Sequence, residues 1–422
     1  MHTRPIRITI LALLGFAFAG GSAAQSGGIT AYTDVTLWDG TGAPARSDVA
    51  LIVDEGRVVS VVPTDEVPSA ATTVSLAGRY VIPGLVEAHA HVSGDWAPDA
   101  VVSPEDRVRG DLLLYARYGV TTVNSLGDGE TVLAVRDAAS ATAPRARLMA
   151  AGEVIAGSNP ARVRADALHN ADLGVDFLKL RVDDNLGRTP KMSWAAVAAV
   201  MDVGRERGIP VATHMFYLDD AKRLLEMGSG LLAHSVRDTD VDDELIGSLL
   251  GRDVCYVPTL VREVSTFVYA DRPEWFDDPF FIEYADVGEV ERVSRPAFME
   301  RMANSGSAAA YRVALAQAQR NLKVLHEAGV RIAMGTDAGP AARFPGFFEH
   351  EELQLMVDAG LTPEEALHAA TAVSAGCLGR DDVGTLEPGR WADFIVLSED
   401  PLEDIQATRS IERVYVAGQQ VD

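Results

Sequence analysis

The chain has 422 residues, and its 61 acidic side chains outnumber the 37 basic ones, for a formal charge of −24. That balance excludes nucleic acid and an anionic membrane surface as partners, because both need clustered positive charge. With 47% hydrophobic and 23% charged residues, the chain can bury a full core and is neither disordered, collagen-like nor a disulfide-stapled scaffold. Its length allows two or three domains, or one large barrel with a satellite.

The start of the chain reads as a signal peptide, residues 1–24. Arg4 and Arg7 make a short basic start, and Ile8 to Ala19 is an apolar run of 12 residues. Such a run is too short to cross a bilayer core of about 30 Å. Ser22-Ala23-Ala24 before Gln25 resembles a signal-peptidase site. The expectation is an exported, periplasmic protein with no membrane anchor in its mature form. Cys255 and Cys377 are the only cysteines. Export would permit a bridge, but two cysteines are no framework, and both read as buried small hydrophobes.

Residues 29–82 read as short strands, with Asp54-Glu55-Gly56 as a hairpin turn between two of them. The C-terminal end has the same texture, with Ala392–Leu397 and Ile411–Val416 rich in β-formers. Two such ends can form one small β domain if a large domain is inserted between them. The middle alternates strand-like runs with helical periodicity. The runs are Val81–Glu87, Val120–Ser125, Arg147–Val154, Phe177–Arg181, Pro210–Thr213, Leu231–Ala233, Val254–Val257 and Arg331–Gly335. Helical stretches such as Ser103–Arg117, Ser193–Arg207, Asp219–Met227 and Ser307–Ala328 lie between them. Eight strands alternating with helices predict an α/β fold, a (β/α)8 TIM barrel, with a doubly wound open sheet as the alternative. The segment Thr259 to Gly306 is too long for an ordinary connection, and its aromatics favour a packed lid.

The polar signals sit at predicted strand ends. His89 and His91 end the first strand, Lys179 lies in the fourth, His214 ends the fifth, His234 the sixth and Asp337 the eighth. Each alone has a bland reading: a polar strand end, a core histidine, a capping aspartate. Lys179 is the odd one, since an ammonium between Leu178 and Leu180 is costly to bury unless paired or modified. In a (β/α)8 barrel, however, the C-terminal strand ends meet at one mouth. Four imidazoles and a carboxylate suit zinc or a similar divalent ion. A lysine that has added CO2 becomes a carbamate able to bridge two ions. The count then gives His89, His91 and Asp337 on one ion, His214 and His234 on the other, and N6-carboxylysine at Lys179 with a hydroxide shared. Such a centre activates water and polarises a carbonyl, with Asp337 as general base and acid.

Pro83-Gly84-Leu85 running into His89-Ala90-His91, Lys179, His214, His234, Gly335-Thr336-Asp337 and Gly384-Thr385-Leu386-Glu387-Pro388-Gly389 together resemble the amidohydrolase superfamily, in its imidazolonepropionase-like and Xaa-Pro dipeptidase (prolidase)-like branch. The resemblance covers roughly residues 29–422. It implies a binuclear centre with a carboxylated lysine. It also implies a β-sandwich built from residues 25–82 and 381–422 around a barrel at 83–380. Three further residues are candidates for substrate binding. Arg181 would share the face of Lys179 and hold a carboxylate, or pair with Asp183 or Asp184. Tyr256 would donate to an oxyanion, or pack in the barrel. His350 would reach substrate, or serve as a supporting histidine. His169, His326 and His368 lie in helical stretches and read as structural.

The function expected is an exported metal-dependent hydrolase of an amide or peptide-like bond in a small molecule, a dipeptide such as Xaa-Pro or an N-acyl amino acid. The alternatives are a cyclic-amide or lactone hydrolase, a deaminase and a non-catalytic binding protein. Met215-Phe216-Tyr217 after His214, together with Lys179, count against deamination. A homo-oligomer stays open, and substrate preference is expected to reside in the 259–306 and 339–348 loops.

Overall fold

The computed structural model describes residues 28–96 and 103–422, so the expected signal peptide lies outside the described residues. Five strands open the described chain: β1 (Thr30–Leu37), β2 (Arg46–Asp54), β3 (Arg57–Pro63), β4 (Thr72–Ser75) and β5 (Tyr80–Pro83). Seven follow: β6 (Leu85–Ala90), β7 (Val120–Ser125), β8 (Arg147–Ala150), β9 (Leu178–Arg181), β10 (Val211–His214), β11 (Leu231–Ala233) and β12 (Cys255–Val257). β13 (Phe394–Leu397), β14 (Ile411–Val416) and β15 (Gln419–Gln420) close the chain.

The two ends form one sheet in the order β15-β14-β13-β5-β1-β2-β3, with β4 added alongside β1. The seam between the ends is the antiparallel pair β5 and β13, with Ile82 opposite Ile395. Tyr32 and Tyr415 pack on Phe394 at ring separations of 4.9 and 4.4 Å, which staples the N-terminal to the C-terminal part. The expected hairpin turns at Glu55 and Gly56, both with positive φ, which suits the twist of the flanking strands.

Parallel strands make up the barrel. β6, β7 and β8 form one ladder, and β9 to β12 another. Backbone bonds join the two, from Ile155 N to Lys179 O (2.8 Å) and from Arg181 N to Ile155 O (3.1 Å). The eighth segment, 331–335, forms only a bridge at Ile332, yet it lies between the seventh strand and the first. Ala333 N donates to Tyr256 O and Ala88 N donates to Met334 O, both at 3.0 Å. Helices cover the outside, and several are begun by a side-chain cap. Ser103 and Ser193 accept from Asp106 N and Ala196 N ahead of helices Pro104–Arg117 and Trp194–Arg207.

Two readings of the sequence are corrected. The run expected as the first barrel strand, Val81–Glu87, is two strands: β5 belongs to the β domain, and the barrel begins at Leu85. The break falls at Pro83-Gly84, where the Gly84 N–H turns away to Asp393 O (2.9 Å) and a Cβ would overlap Thr121. The two cysteines are bonded to each other. Cys255 in β12 and Cys377 in helix Ser374–Cys377 form a disulfide with Cα atoms 5.9 Å apart. The helix after the eighth segment folds back on the seventh strand and brings together residues 122 positions apart, a contact that linear spacing does not reveal. The 259–306 segment is packed, as its aromatics suggested, and folds into short helices whose Tyr269, Phe276 and Phe281 pack with Phe344, Phe347 and Phe348. Tyr269 ties it to the loop after the eighth segment by donating to Ala342 O (2.8 Å).

Candidate active site

All six side chains singled out at strand ends converge at the barrel mouth. Lys179 Nζ lies 3.1 Å from His89 Nε2. One oxygen of Asp337, Oδ1, lies 3.1 Å from His91 Nε2 and 3.5 Å from His89 Nε2. The His234 ring is 4.7 Å from that of His89 and 4.1 Å from that of His214. His89, His91 and Asp337 can present one ligand atom each within 4.8 Å of one another, a His–His–Asp group of the kind that holds a metal ion.

The backbone is bent to achieve this. His234, Thr259 and Asp337 have φ of 72°, 49° and 56°. Left-handed backbone at a β-branched threonine is an outlier, and such strain of about 1–3 kcal/mol collects where geometry serves function. Two of the three are locked together, with Thr259 Oγ1 2.7 Å from His234 Nδ1. Gly339, at φ 109°, permits the other close approach: a Cβ there would lie 2.3 Å from His91 O. Buried Glu87 laces the first strand to the eighth segment, its Oε1 accepting from His89 N (2.6 Å) and Thr336 N (3.2 Å).

Protonation follows from burial and neighbours. Burial, with Lys179 nearby, drives His89 well below the usual histidine range. Burial also lowers His234 far, and it lowers His214 to about 3 against the opposing pull of Asp183. These three imidazoles are therefore neutral at pH 7 and keep a lone pair for a metal. His89 Nδ1 has no partner at all. Burial would lower His91 too, but Asp128 and Asp337 outweigh it and hold the ring up at about 9. Burial opposes ionisation of Asp337, yet Arg343 and the two imidazoles hold its carboxyl well below the usual range. Lys179 is pushed down to about 7 by burial, with Asp337 opposing, so much of it is neutral near pH 7.

The carboxylates beside the imidazoles were not foreseen. Asp128, in the loop after β7, lies 3.5 Å from His91 Nδ1 and accepts from Val92 N (2.8 Å). Asp183, just past β9, lies 3.1 Å from His214 Nε2. Carboxylates so placed fix a ring's orientation and raise its basicity. Two arginines were missed as well. Arg343 Nη1 bonds Asp337 Oδ2, and Arg262 Nε stands 3.9 Å from the same oxygen. Both sit in the loops already expected to carry substrate preference, which was the one available signal.

The three substrate-contact candidates fare differently. Arg181 pairs with neither Asp183 nor Asp184 but donates to Asn185 Oδ1 (2.6 Å). Tyr256 takes the packing alternative: it is wholly buried in the core, and its hydroxyl accepts from Val236 N (2.7 Å). His350 takes the supporting alternative. Its nitrogens lie 2.9 Å from Thr408 Oγ1 and 2.8 Å from Tyr118 O, so both are occupied in joining the barrel to the β domain.

Residues 80–421 match the model of the amidohydrolase family. The chain belongs to that family. This amidohydrolase is 26% identical over 407 residues to an imidazolonepropionase of Deinococcus radiodurans, covering 89% of the chain and 92% of the relative. It is 27% identical over 379 residues to an imidazolonepropionase of Mycolicibacterium smegmatis, covering 83% and 84%. Among solved structures it superposes on a putative prolidase from Bifidobacterium longum with a TM-score of 0.73 at 26% identity, covering 93% and 94% of the two chains. A Xaa-Pro dipeptidase with bound methionine gives 0.74 at 21% identity over 93% and 99%, a likeness of fold. The amidohydrolase is thus a hydrolase acting on carbon–nitrogen bonds, on a (β/α)8 barrel with an attached β domain.

Proposed function

We propose that this protein is an exported hydrolase that cleaves the amide bond of a dipeptide or N-acyl amino acid at a binuclear divalent-metal centre. The reading is carried by one observation: a lysine buried to 3% exposure stands among four histidines and an aspartate at a barrel mouth. The donor set fits the metals. Neutral His89, with an unpartnered nitrogen, neutral His214 and His234, an ionised Asp337 carboxylate and a lysine with access to its neutral form are the states that ligation and CO2 addition require, and His91 would give up its proton on ligation. His89, His91 and Asp337 would hold one ion, His214 and His234 the other, and N6-carboxylated Lys179 would bridge them. When bound, such ions lower the pKa of water and polarise a carbonyl. Asp337 takes the proton from the attacking water and delivers it to the leaving nitrogen. Asp128 and Asp183 keep the His91 and His214 rings in place, and the strained backbone at His234 and Asp337 aims both side chains into the mouth.

The Cys255–Cys377 bridge supports export, since disulfides persist in oxidising compartments. A cyclic amide is the second reading, favoured by the two relatives named imidazolonepropionase. The test is a screen of zinc-reconstituted protein against dipeptides, N-acyl amino acids and cyclic amides, with metal counted by plasma mass spectrometry. Two ions per chain and turnover of an open-chain amide support the proposal. Turnover of cyclic amides alone replaces it with the second reading, and fewer than one tight ion per chain removes it. The Asp337→Asn variant should lose about 10²–10⁴-fold in kcat.

A further inference from the structure

Asp337 stands between two different surroundings. Its Oδ1 faces the imidazoles of His89 and His91, while its Oδ2 faces the guanidiniums of Arg343 and Arg262. The arginines are more than partners for that one carboxylate. Arg262 is 8% exposed, and its Nε makes no hydrogen bond. Its Nη1 is held by both oxygens of Glu263 at 3.1 Å, which fixes the plane of the guanidinium. Arg237, 2% exposed, donates from Nη1 to Met215 O (3.2 Å) and Ser235 O (2.7 Å); its Nε stands 3.1 Å from Glu263 Oε1 as an ion pair without hydrogen-bond geometry, and its Nη2 makes no hydrogen bond. Three guanidiniums therefore share two carboxylates. Arg262 lies over the Tyr311 ring at 4.8 Å and Arg237 over Phe216 at 4.5 Å, so aromatic faces rather than water cover them. A dry, half-satisfied cluster of positive charge is costly unless an anion completes it. Ligation would draw the Asp337 charge toward a metal and leave the arginine side more positive still.

We propose that Arg343 and Arg262 form a carboxylate clamp that restricts the enzyme to amides bearing a free carboxylate close to the scissile bond. The proposal rests on the amide-hydrolase reading and deepens it, and it moves the carboxylate-binding role away from Arg181. A substrate whose scissile carbonyl lies beside Asp337 Oδ1 places an anionic group one or two bonds beyond the amide nitrogen on the Oδ2 side. A planar guanidinium meets a carboxylate there with two parallel hydrogen bonds, which a neutral carboxamide cannot reproduce. Dipeptides and N-acyl amino acids have this form; their C-terminal carboxamides do not.

The experiment compares each accepted N-acyl amino acid and dipeptide with its C-terminal carboxamide on the metal-reconstituted protein. In parallel, calorimetry measures binding of N-acetyl-L-phenylalanine and N-acetyl-L-phenylalaninamide to the metal-free protein. The acid should exceed the carboxamide by about 10²-fold or more in kcat/KM, and calorimetry should detect only the acid. Arg343→Gln should raise KM for the acid at least tenfold and collapse the acid-to-carboxamide ratio, with Arg343→Lys restoring part of it. Arg343 carries this test because Arg262→Gln would strand Glu263 and could fail to fold. Equal kcat/KM for the two forms, or a ratio unchanged by Arg343→Gln, overturns the clamp. If no amide is hydrolysed, the functional proposal fails by itself, and calorimetry then decides the clamp: preferential binding of the acid upholds it, equal or absent binding removes it.

Discussion

Breaking the Cys255–Cys377 bridge should destabilise the protein by about 5 kcal/mol without touching catalysis. The bridge spans 122 residues. In the chain-entropy account, closing a loop of that length removes about 16 cal/mol/K from the unfolded chain, or about 5 kcal/mol at 25 °C. At about 2.1 cal/mol/K per residue, unfolding the described residues carries an entropy of about 0.8 kcal/mol/K, so the loss should appear as a drop of about 6 °C in Tm. The perturbation is reduction by a phosphine, with the Cys255→Ala, Cys377→Ala double variant as a second route. The variant should fall slightly further, because Cys255 is 3% exposed and its sulfur also fills space. Scanning calorimetry of oxidised and reduced protein reads the shift. Cys255 begins β12, at the end of the strand away from the mouth, so kcat on any accepted amide should stay within about twofold. A Tm change below about 1 °C, or two titratable thiols in the denatured and unreduced protein, would refute the reasoning.

Lys179→Ala should lose metal and activity together, and millimolar propionate should restore part of both; metal content equal to the parent would remove the bridge. Carbamate formation needs the neutral amine, and the folded-state value of about 7 lies below the ordinary 10.5, so the metal-free fold gains stability as pH rises from about 7 towards 10. Labelled CO2 should accordingly enter Lys179 well at pH 8 and poorly at pH 6, read by carbon NMR; equal labelling would count against a buried amine. His350→Ala should cost about 2–4 kcal/mol in urea unfolding, because it empties a buried site and strands Tyr118 O, while Thr408 Oγ1 keeps its bond to Ile405 O, with KM unchanged. A raised KM with unaltered stability would return His350 to the substrate site. Asp128→Ala should weaken metal affinity about 10–100-fold and also lower Tm of the metal-free form, because it strands the buried Val92 N–H; unchanged metal affinity would remove the supporting role.

Much of the architecture was legible because it is local. Alternating apolar runs and helical periods mark seven of the eight barrel segments, and serine caps mark helix starts. The first barrel strand was misplaced because Tyr80–Val86 carries no charged side chain: hydrophobicity cannot show that the chain changes sheets at Pro83-Gly84. The metal-ligand candidates were legible for a different reason. A histidine or lysine in an apolar strand is anomalous on its own line, and barrel topology then converts six anomalies into one place.

What the sequence hid was everything that depends on a partner from another segment. Cys255 and Cys377 look like ordinary small hydrophobes until the return helix brings them together. His350 and Tyr256 look like candidate ligands until Thr408, Tyr118 O and Val236 N occupy their polar atoms. Arg262 and Arg343 look like two of many arginines, since nothing in TLVRE or AARFP sets them apart. Their meaning comes from which oxygen of Asp337 they face. A residue whose oddity lies in its own environment, as with Lys179, can be found by reading along the chain. A residue whose importance lies in an unmatched charge can be found only once its neighbours are counted, and that is why the proposed carboxylate clamp emerges from the structure while the candidate metal ligands can be named from the sequence.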